Sequence, residues 1–185
     1  MPETLRQQVR RSVVDRAPID AAEQACVATF LRHYDELADP FDQELDPVHV
    51  TGSAIVVGPR GAVLLRHKRL GLWLQPGGHV DLGETPWDGA LREAAEETGL
   101  DVRFVAIGPD DVPPLIHVDV HAGGRGHTHL DLRYLVDGGA ADPSPPAGES
   151  QEVAWFDWSA AIERASDERL TALLAHLAEE FAAKE

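Results

Sequence analysis

The sequence predicts an α/β or α+β sandwich with a helical extension at its N-terminus. Three observations carry this. From His49 onward, strand-like runs surround one strongly marked helix and end in further helix, the order expected of layers packed on a sheet. Ahead of them, residues 1–45 repeat apolar side chains at helical spacing. Finally, 185 residues, 43% of them hydrophobic and 26% charged, suffice for one ordinary domain with its own core plus an appendage. The expected division is an extension over 1–45 and a main domain over 46–185.

Leu5, Val9 and Val13 recur every fourth residue and predict a short first helix. Asp20, with Glu23 three residues on, resembles a capping box after Pro18. It opens a second helix whose stripe runs through Ala28, Leu31, Tyr34 and Leu37. That stripe wants cover, from the sandwich or from a second subunit in a homodimer. Residues 49–57 and 62–67 flank the turn Gly58-Pro59-Arg60-Gly61 and read as a hairpin. A helix follows from Pro86 to Thr98. Residues 102–107, 115–121 and 127–136 read as strands. A proline-rich loop over 142–150 leads to a short strand at 152–156, and from Ser159 to the end the chain reads as one or two helices.

Charge narrows the function. With 16 Lys and Arg against 32 Asp and Glu, the net charge is −16. That argues against a nucleic-acid polymer or an anionic membrane as partner, because both reward cations. A small phosphate ligand held through a bridging cation remains compatible. No apolar run approaches the roughly 20 residues needed to span a bilayer, and the N-terminus lacks a signal-peptide core. The lone Cys26 cannot form an internal disulfide, which fits a reducing, cytoplasmic setting. In a helix without a neighbouring histidine it reads as a buried thiol.

The informative stretch is 71–100, GLWLQPGGHVDLGETPWDGALREAAEETGL. Gly77 and Gly78 permit a tight turn. Thr85 suits an N-cap, Pro86 the first helical position and Gly99 the terminator. At about 100° per residue, Glu93, Glu96 and Glu97 share one arc. Trp87, Leu91, Ala94 and Thr98 share another, the expected buried face, while small Gly89 and Ala90 on the carboxylate side leave room for a ligand. Arg92 flanks the carboxylates. At about 5 Å and an effective dielectric near 20, each carboxylate pair repels by roughly 3 kcal/mol unless water or a cation intervenes. Hard divalent cations prefer such oxygen donors; a solvated acidic helix face is the plainer explanation.

The spacing G-x5-E-x7-R-E-U-x-E-E-x-G-U, with U aliphatic, is met by Gly78, Glu84, Arg92, Glu93, Ala94, Glu96, Glu97, Gly99 and Leu100. This resembles the signature of Nudix hydrolases, MutT-like enzymes; Ala94 is smaller than the usual aliphatic residue. The resemblance implies a Nudix α/β/α sandwich with a mixed sheet, and Mg²⁺- or Mn²⁺-dependent cleavage of a diphosphate bond in a small nucleotide. Nucleoside triphosphates, ADP-ribose or another nucleotide sugar, and dinucleoside polyphosphates are the candidate substrates. It further implies metal ligation by Glu93, Glu96, Glu97 and the Gly78 carbonyl, with Glu84 supporting and Arg92 orienting a glutamate. Glu93 is then the first candidate for general base, and a later-loop glutamate, Glu149 or Glu152, the second. A catalytically silent nucleotide sensor on the same fold, or an acidic domain that only binds divalent ions, are the alternatives.

Two features lie beyond the box. Arg66, His67, Lys68 and Arg69 form the one dense basic run and either meet phosphates or cap a solvated strand end. The second is a histidine-rich hairpin. With His121 opposite His127, one face carries His117, Asp119, His121, His127, His129, Asp131 and Arg133, and the other Ile116, Val118, Val120, Leu130, Leu132 and Tyr134. The polar face reads as a bland strand face, a zinc site, or a wall of the substrate cleft through His117, Asp119, His127, His129, Asp131 and Arg133. As a wall, His129 would charge near pH 6.5 and bind phosphate more tightly as pH falls toward 6.

Overall fold

The structure, a computed structural model, describes residues 3–183. The last two residues of the expected terminal helix therefore lie outside the described residues. Two helices open the chain, α1 (Leu5–Asp15) and α2 (Ala21–Glu36). Strands β1 (Val48–Gly58), β2 (Gly61–Arg66), β3 (Trp73–Leu74) and β4 (Gly77–His79) follow, then α3 (Pro86–Thr98). The remainder is β5 (Arg103–Phe104), β6 (Leu115–Ala122), β7 (Thr128–Asp137), β8 (Val153–Phe156), α4 (Trp158–Arg164) and α5 (Glu168–Ala182).

The eight strands form one mixed sheet. β1 is central and runs parallel to β7 from Val48↔Thr128 to Val57↔Asp137. Its other side pairs antiparallel with β4 over Thr51, Gly52 and Ser53, and with β2 at the hairpin. Alternation then divides the core. Val50, Ala54 and Val56 pack with Val9, Val13, Phe30, Tyr34, Trp87, Ala90 and Ala94 of α1, α2 and α3. Ile55 and Val57 pack on the other face with Ala161, Leu170, Leu173, Leu174 and Leu177 of α4 and α5.

The N-terminal helices share the main core, and Arg6 donates to the carbonyls of Tyr34 and Leu37 at the end of α2. Asp20 caps α2 as expected. Of the expected stripe, Tyr34 and Leu37 are buried and Leu31 packs against the core, whereas Ala28 is exposed and Glu23, Cys26 and Phe30 complete the buried face. Glu23 is fully buried because its carboxylate accepts from Ile19 N, Val118 N and the Arg16 guanidinium. Cys26 is a buried thiol 3.6 Å from the Asp119 carboxylate, and burial raises its pKa.

Two corrections concern the histidine hairpin. His121 pairs with His129, Asp119 with Asp131 and His117 with Arg133, two residues from the expected register. The turn closes later because Gly123 N donates to the His127 carbonyl around a 3-10 turn at Gly124–Gly126. An even slip preserves side-chain parity, so the polar face survives it. Between Leu115 and His117 the register shifts, and this bulge sends Ile116 to the α5 side instead of the face of Val118. The expected strand at 102–107 shortens to Arg103–Phe104.

Candidate active site

Helix α3 starts where its local chemistry says it should. The Thr85 hydroxyl accepts from Asp88 N, Pro86 occupies the first turn, and Gly99 closes the helix at φ 67°. Its buried residues are Pro86, Trp87, Gly89, Ala90, Ala94 and Thr98. Gly89 and Ala90 thus serve close packing and not a ligand space: Ala90 N lies 3.0 Å from where a Cβ on Gly52 of β1 would sit.

Gly52 and its register partner Gly78 both face α3. A side chain on Gly78 would overlap the Glu93 carboxylate, so this glycine lets β4 approach the helix closely. Arg92 locks the arrangement. It donates to both oxygens of Glu84 at 3.0 Å, to Glu93 at 2.8 Å, to Glu96 at 3.4 Å and to the His79 carbonyl at 3.0 Å. The exposed Glu96 projects to solvent, whereas the Glu97 carboxylate turns inward and accepts from Gly77 N at 3.0 Å.

The electrostatics sort these carboxyls. Burial raises the Glu97 pKa to about 7, helped by the charges of Glu93 and Glu149 and opposed by the Gly77 N–H and Lys68. Glu93 is raised too, first by burial and then by Glu96 and Glu149, against the pull of Arg92. For Glu84 burial pushes up, but the Arg92 guanidinium and Asp81 N–H outweigh it and hold the carboxyl low. Glu149 therefore stands within electrostatic reach of the helix carboxylates. Glu152 instead pairs with Arg66 at 3.1 Å. A cleft of about 440 Å³ opens between Arg66, His67 and Lys68 on one side and residues 149–152 on the other. The donor set of Glu93, Glu96 and Glu97 is all oxygen, the donor chemistry a hard divalent ion takes, although these carboxylate atoms do not all lie within 4.8 Å of one another.

The histidine hairpin lies on the opposite face of the sheet. Gly52 and Gly78 face α3, so their neighbours Thr51 and His79 face away. There, His117, Asp119, Asp131 and Arg133 are all buried. Asp131 accepts from Thr51, Ser53 and Arg133; Asp119 accepts from Arg133 at 2.9 Å and from Arg169 of α5 at 2.6 Å. Burial opposes ionisation of Asp119, but His121, Arg133 and Arg169 outweigh it and keep its carboxyl far below the ordinary range. His117 is pushed down to about 3 by burial and Arg133. His127 and His129 remain half-buried. Burial and the neighbouring histidines hold His129 at about 4, so the expected charging near pH 6.5 does not occur there.

Two histidines of this face escaped the sequence reading. His49 of β1 and His79 of β4 join His129, and among the described residues these are the one trio of His, Cys, Asp or Glu whose ligand atoms lie within 4.8 Å of one another. Their only sequence signal was strand parity, since each sits an even number of residues from Thr51 or Gly77 on strands whose pairing is long-range.

A family model described as NUDIX domain matches residues 47–177. An RNA pyrophosphohydrolase of Agrobacterium fabrum is 36% identical over 97 residues, 47% of this chain and 56% of that protein. The chain thus spans about half the length of the curated relatives it matches. A crystal structure of a Nudix-family hydrolase from Clostridium perfringens superposes with a TM-score of 0.62 at 25% identity, over 74% of this chain and 98% of that one. A UDP-X diphosphatase, 17% identical with a TM-score of 0.55, covers 96% of this chain and 80% of its own, a likeness of fold. Among the described residues no helix is long and apolar enough to cross a membrane.

Proposed function

We propose, from the premise that the chain belongs to the Nudix family, that it hydrolyses a diphosphate bond in a small nucleotide with the help of Mg²⁺ or Mn²⁺. The observation that carries this is the electrostatic coupling of Glu93 and Glu97 to Glu149, which itself lines a cleft bordered by Arg66 and Lys68. Glu93, Glu96 and Glu97, with the Gly78 carbonyl, would hold the ion. When bound, such an ion neutralises diphosphate charge and lowers the pKa of a water ligand.

The chain's own groups divide the remaining work. Arg92 fixes Glu93 against β4 and holds Glu84 ionised beneath it. Gly77 N–H fixes one oxygen of Glu97. Lys68 and Arg66 flank the cleft, where they would draw in phosphate oxygens and orient the scissile bond. Substitution at phosphorus rewards such positioning above all. Glu93 is engaged by Arg92 and Glu152 by Arg66, so Glu149 is our general base, accepting the proton of the attacking water. The net charge of −16 favours a small nucleotide over a polymer, although curated relatives carry the name RNA pyrophosphohydrolase.

The test is phosphate and diphosphate release from nucleoside triphosphates, nucleotide sugars and dinucleoside polyphosphates, with and without Mg²⁺. Glu149→Gln should lower kcat by about 100-fold with KM little changed. A Mg²⁺-independent activity, or none on any of the three classes, would overturn the reading.

A further inference from the structure

We propose that His49, His79 and His129 bind a divalent transition-metal ion, zinc by ligand preference, on the sheet face opposite the carboxylates. The three rings form a nearly equilateral triangle, with centroids 5.1 Å apart for His49–His79 and 5.3 Å for the other two pairs. They come from three different strands, β1, β4 and β7, and His49 and His129 are register partners. The ligand atoms lie within 4.8 Å of one another. Tetrahedral bonds of about 2.05 Å set nitrogens about 3.4 Å apart. Small ring rotations of half-buried His79 and His129 toward a fixed His49 bring them there.

His49 supplies the independent evidence. It is fully buried, and its Nδ1 lies 3.1 Å from the Asp46 carbonyl. A carbonyl only accepts, so Nδ1 carries the proton and Nε2 carries a lone pair. Among the described residues that Nε2 is buried with no hydrogen-bond partner, and so is Nε2 of His79. Two orphaned nitrogens in one cluster are expensive without a shared ligand. The bracing of one ring nitrogen by a backbone carbonyl while the other is left free to coordinate is how metal-bound histidines are held.

The setting supports an ion of intermediate softness. Imidazole suits zinc, whereas Mg²⁺ takes oxygen. His121, held by Asp119 at 3.2 Å, and His127 flank the trio, their rings 5.3 Å from His129 and 5.1 Å from His49. Either offers a fourth ligand, and the half-buried rings leave an entry path. A bound ion would tie β4 to β1 and β7 at His79. The carbonyl of that residue holds Arg92 on the far side of the sheet.

The experiment uses the full chain, stripped with a chelator, then titrated with Zn²⁺ by calorimetry and with Co²⁺ as an optical probe. We expect one ion per chain, a tetrahedral Co²⁺ spectrum and a higher Tm with zinc. His129→Ala and His79→Ala, at half-buried positions that tolerate truncation, should each weaken zinc binding by more than about 100-fold. Glu97→Gln should bind zinc as the parent does. Absence of stoichiometric Zn²⁺ or Co²⁺ binding by the parent would overturn the proposal and leave the nitrogens to ordered water. So would unchanged binding in both histidine variants, or loss of binding in Glu97→Gln, which would place the ion at the carboxylates.

Discussion

Gly52→Ala should both destabilise the protein and disable the carboxylate helix. The new Cβ would overlap the Pro86 carbonyl oxygen and stand 3.0 Å from Ala90 N and 3.2 Å from the Pro86 carbonyl carbon. All three atoms are backbone, so no rotamer change relieves the contact. Ordinary non-bonded contacts need about 3.5 Å, which requires the first turn of α3 to lift by about 1 Å. Overpacking of this kind costs about 1–3 kcal/mol. The lift also draws Glu93 away from Gly78, and a displacement of about 1 Å at a reacting centre lowers turnover by about 100-fold. Urea unfolding reads the first effect, and nucleotide hydrolysis at saturating Mg²⁺ the second. Gly124→Ala is the control, because its Cβ would meet only the mobile tip of Arg69, at 3.3 Å. A Gly52→Ala protein with the control's midpoint and turnover would refute the reasoning.

Glu97→Gln should abolish most hydrolysis while leaving the metal-free protein at least as stable, since a raised carboxyl is removed. Its folded pKa of about 7 lies above the ordinary glutamate value of 4.5, so the parent's metal-free stability should fall as pH rises across that window. Unfolding midpoints of parent and variant between those values check it; parallel pH profiles would count against it. Asp119→Asn should cost about 3–5 kcal/mol, because it weakens the pairing of buried Arg133. The folded Asp119 carboxyl is depressed, so its contribution is present above the ordinary carboxylate pKa and lost as pH falls below it; denaturant titrations at neutral and acid pH test both statements. Removing residues 1–45 strips Val9, Val13, Phe30 and Tyr34 from the main core and should cost more than about 5 kcal/mol. An unchanged Tm in the shortened chain would show the extension to be dispensable.

What was legible in the sequence follows range. Helix α3 was readable to its ends because Thr85, Pro86 and Gly99 act within one turn of themselves. The carboxylate arc follows from helical spacing, and the expected place of Arg92 from the family resemblance; the structure adds that Arg92 donates to Glu84 and Glu93. Failures came where partners are distant. No local signal announces that β1 lies parallel to β7, so His49 and His129 could not be set side by side. In α2, Leu31, Tyr34 and Leu37 were legible, but Glu23 counts as polar until three donors from two other segments saturate it. The hairpin kept its faces despite a misplaced turn, because strand parity is insensitive to a slip of two.

The Glu23 carboxylate also bears on how the molecule behaves in company. Among the described residues strand β6 pairs only with β7, so its outer rim is a sheet edge of the sort on which foreign strands template. On that rim Val118 N–H is already given to Glu23, and the Val120 carbonyl accepts from Arg169. An intruding strand would have to evict a fully buried carboxylate and strip a guanidinium from its partner before gaining its first hydrogen bond. The rim is thus plugged by ions from α2 and α5, and self-association by strand addition along 118–120 is closed to the folded chain.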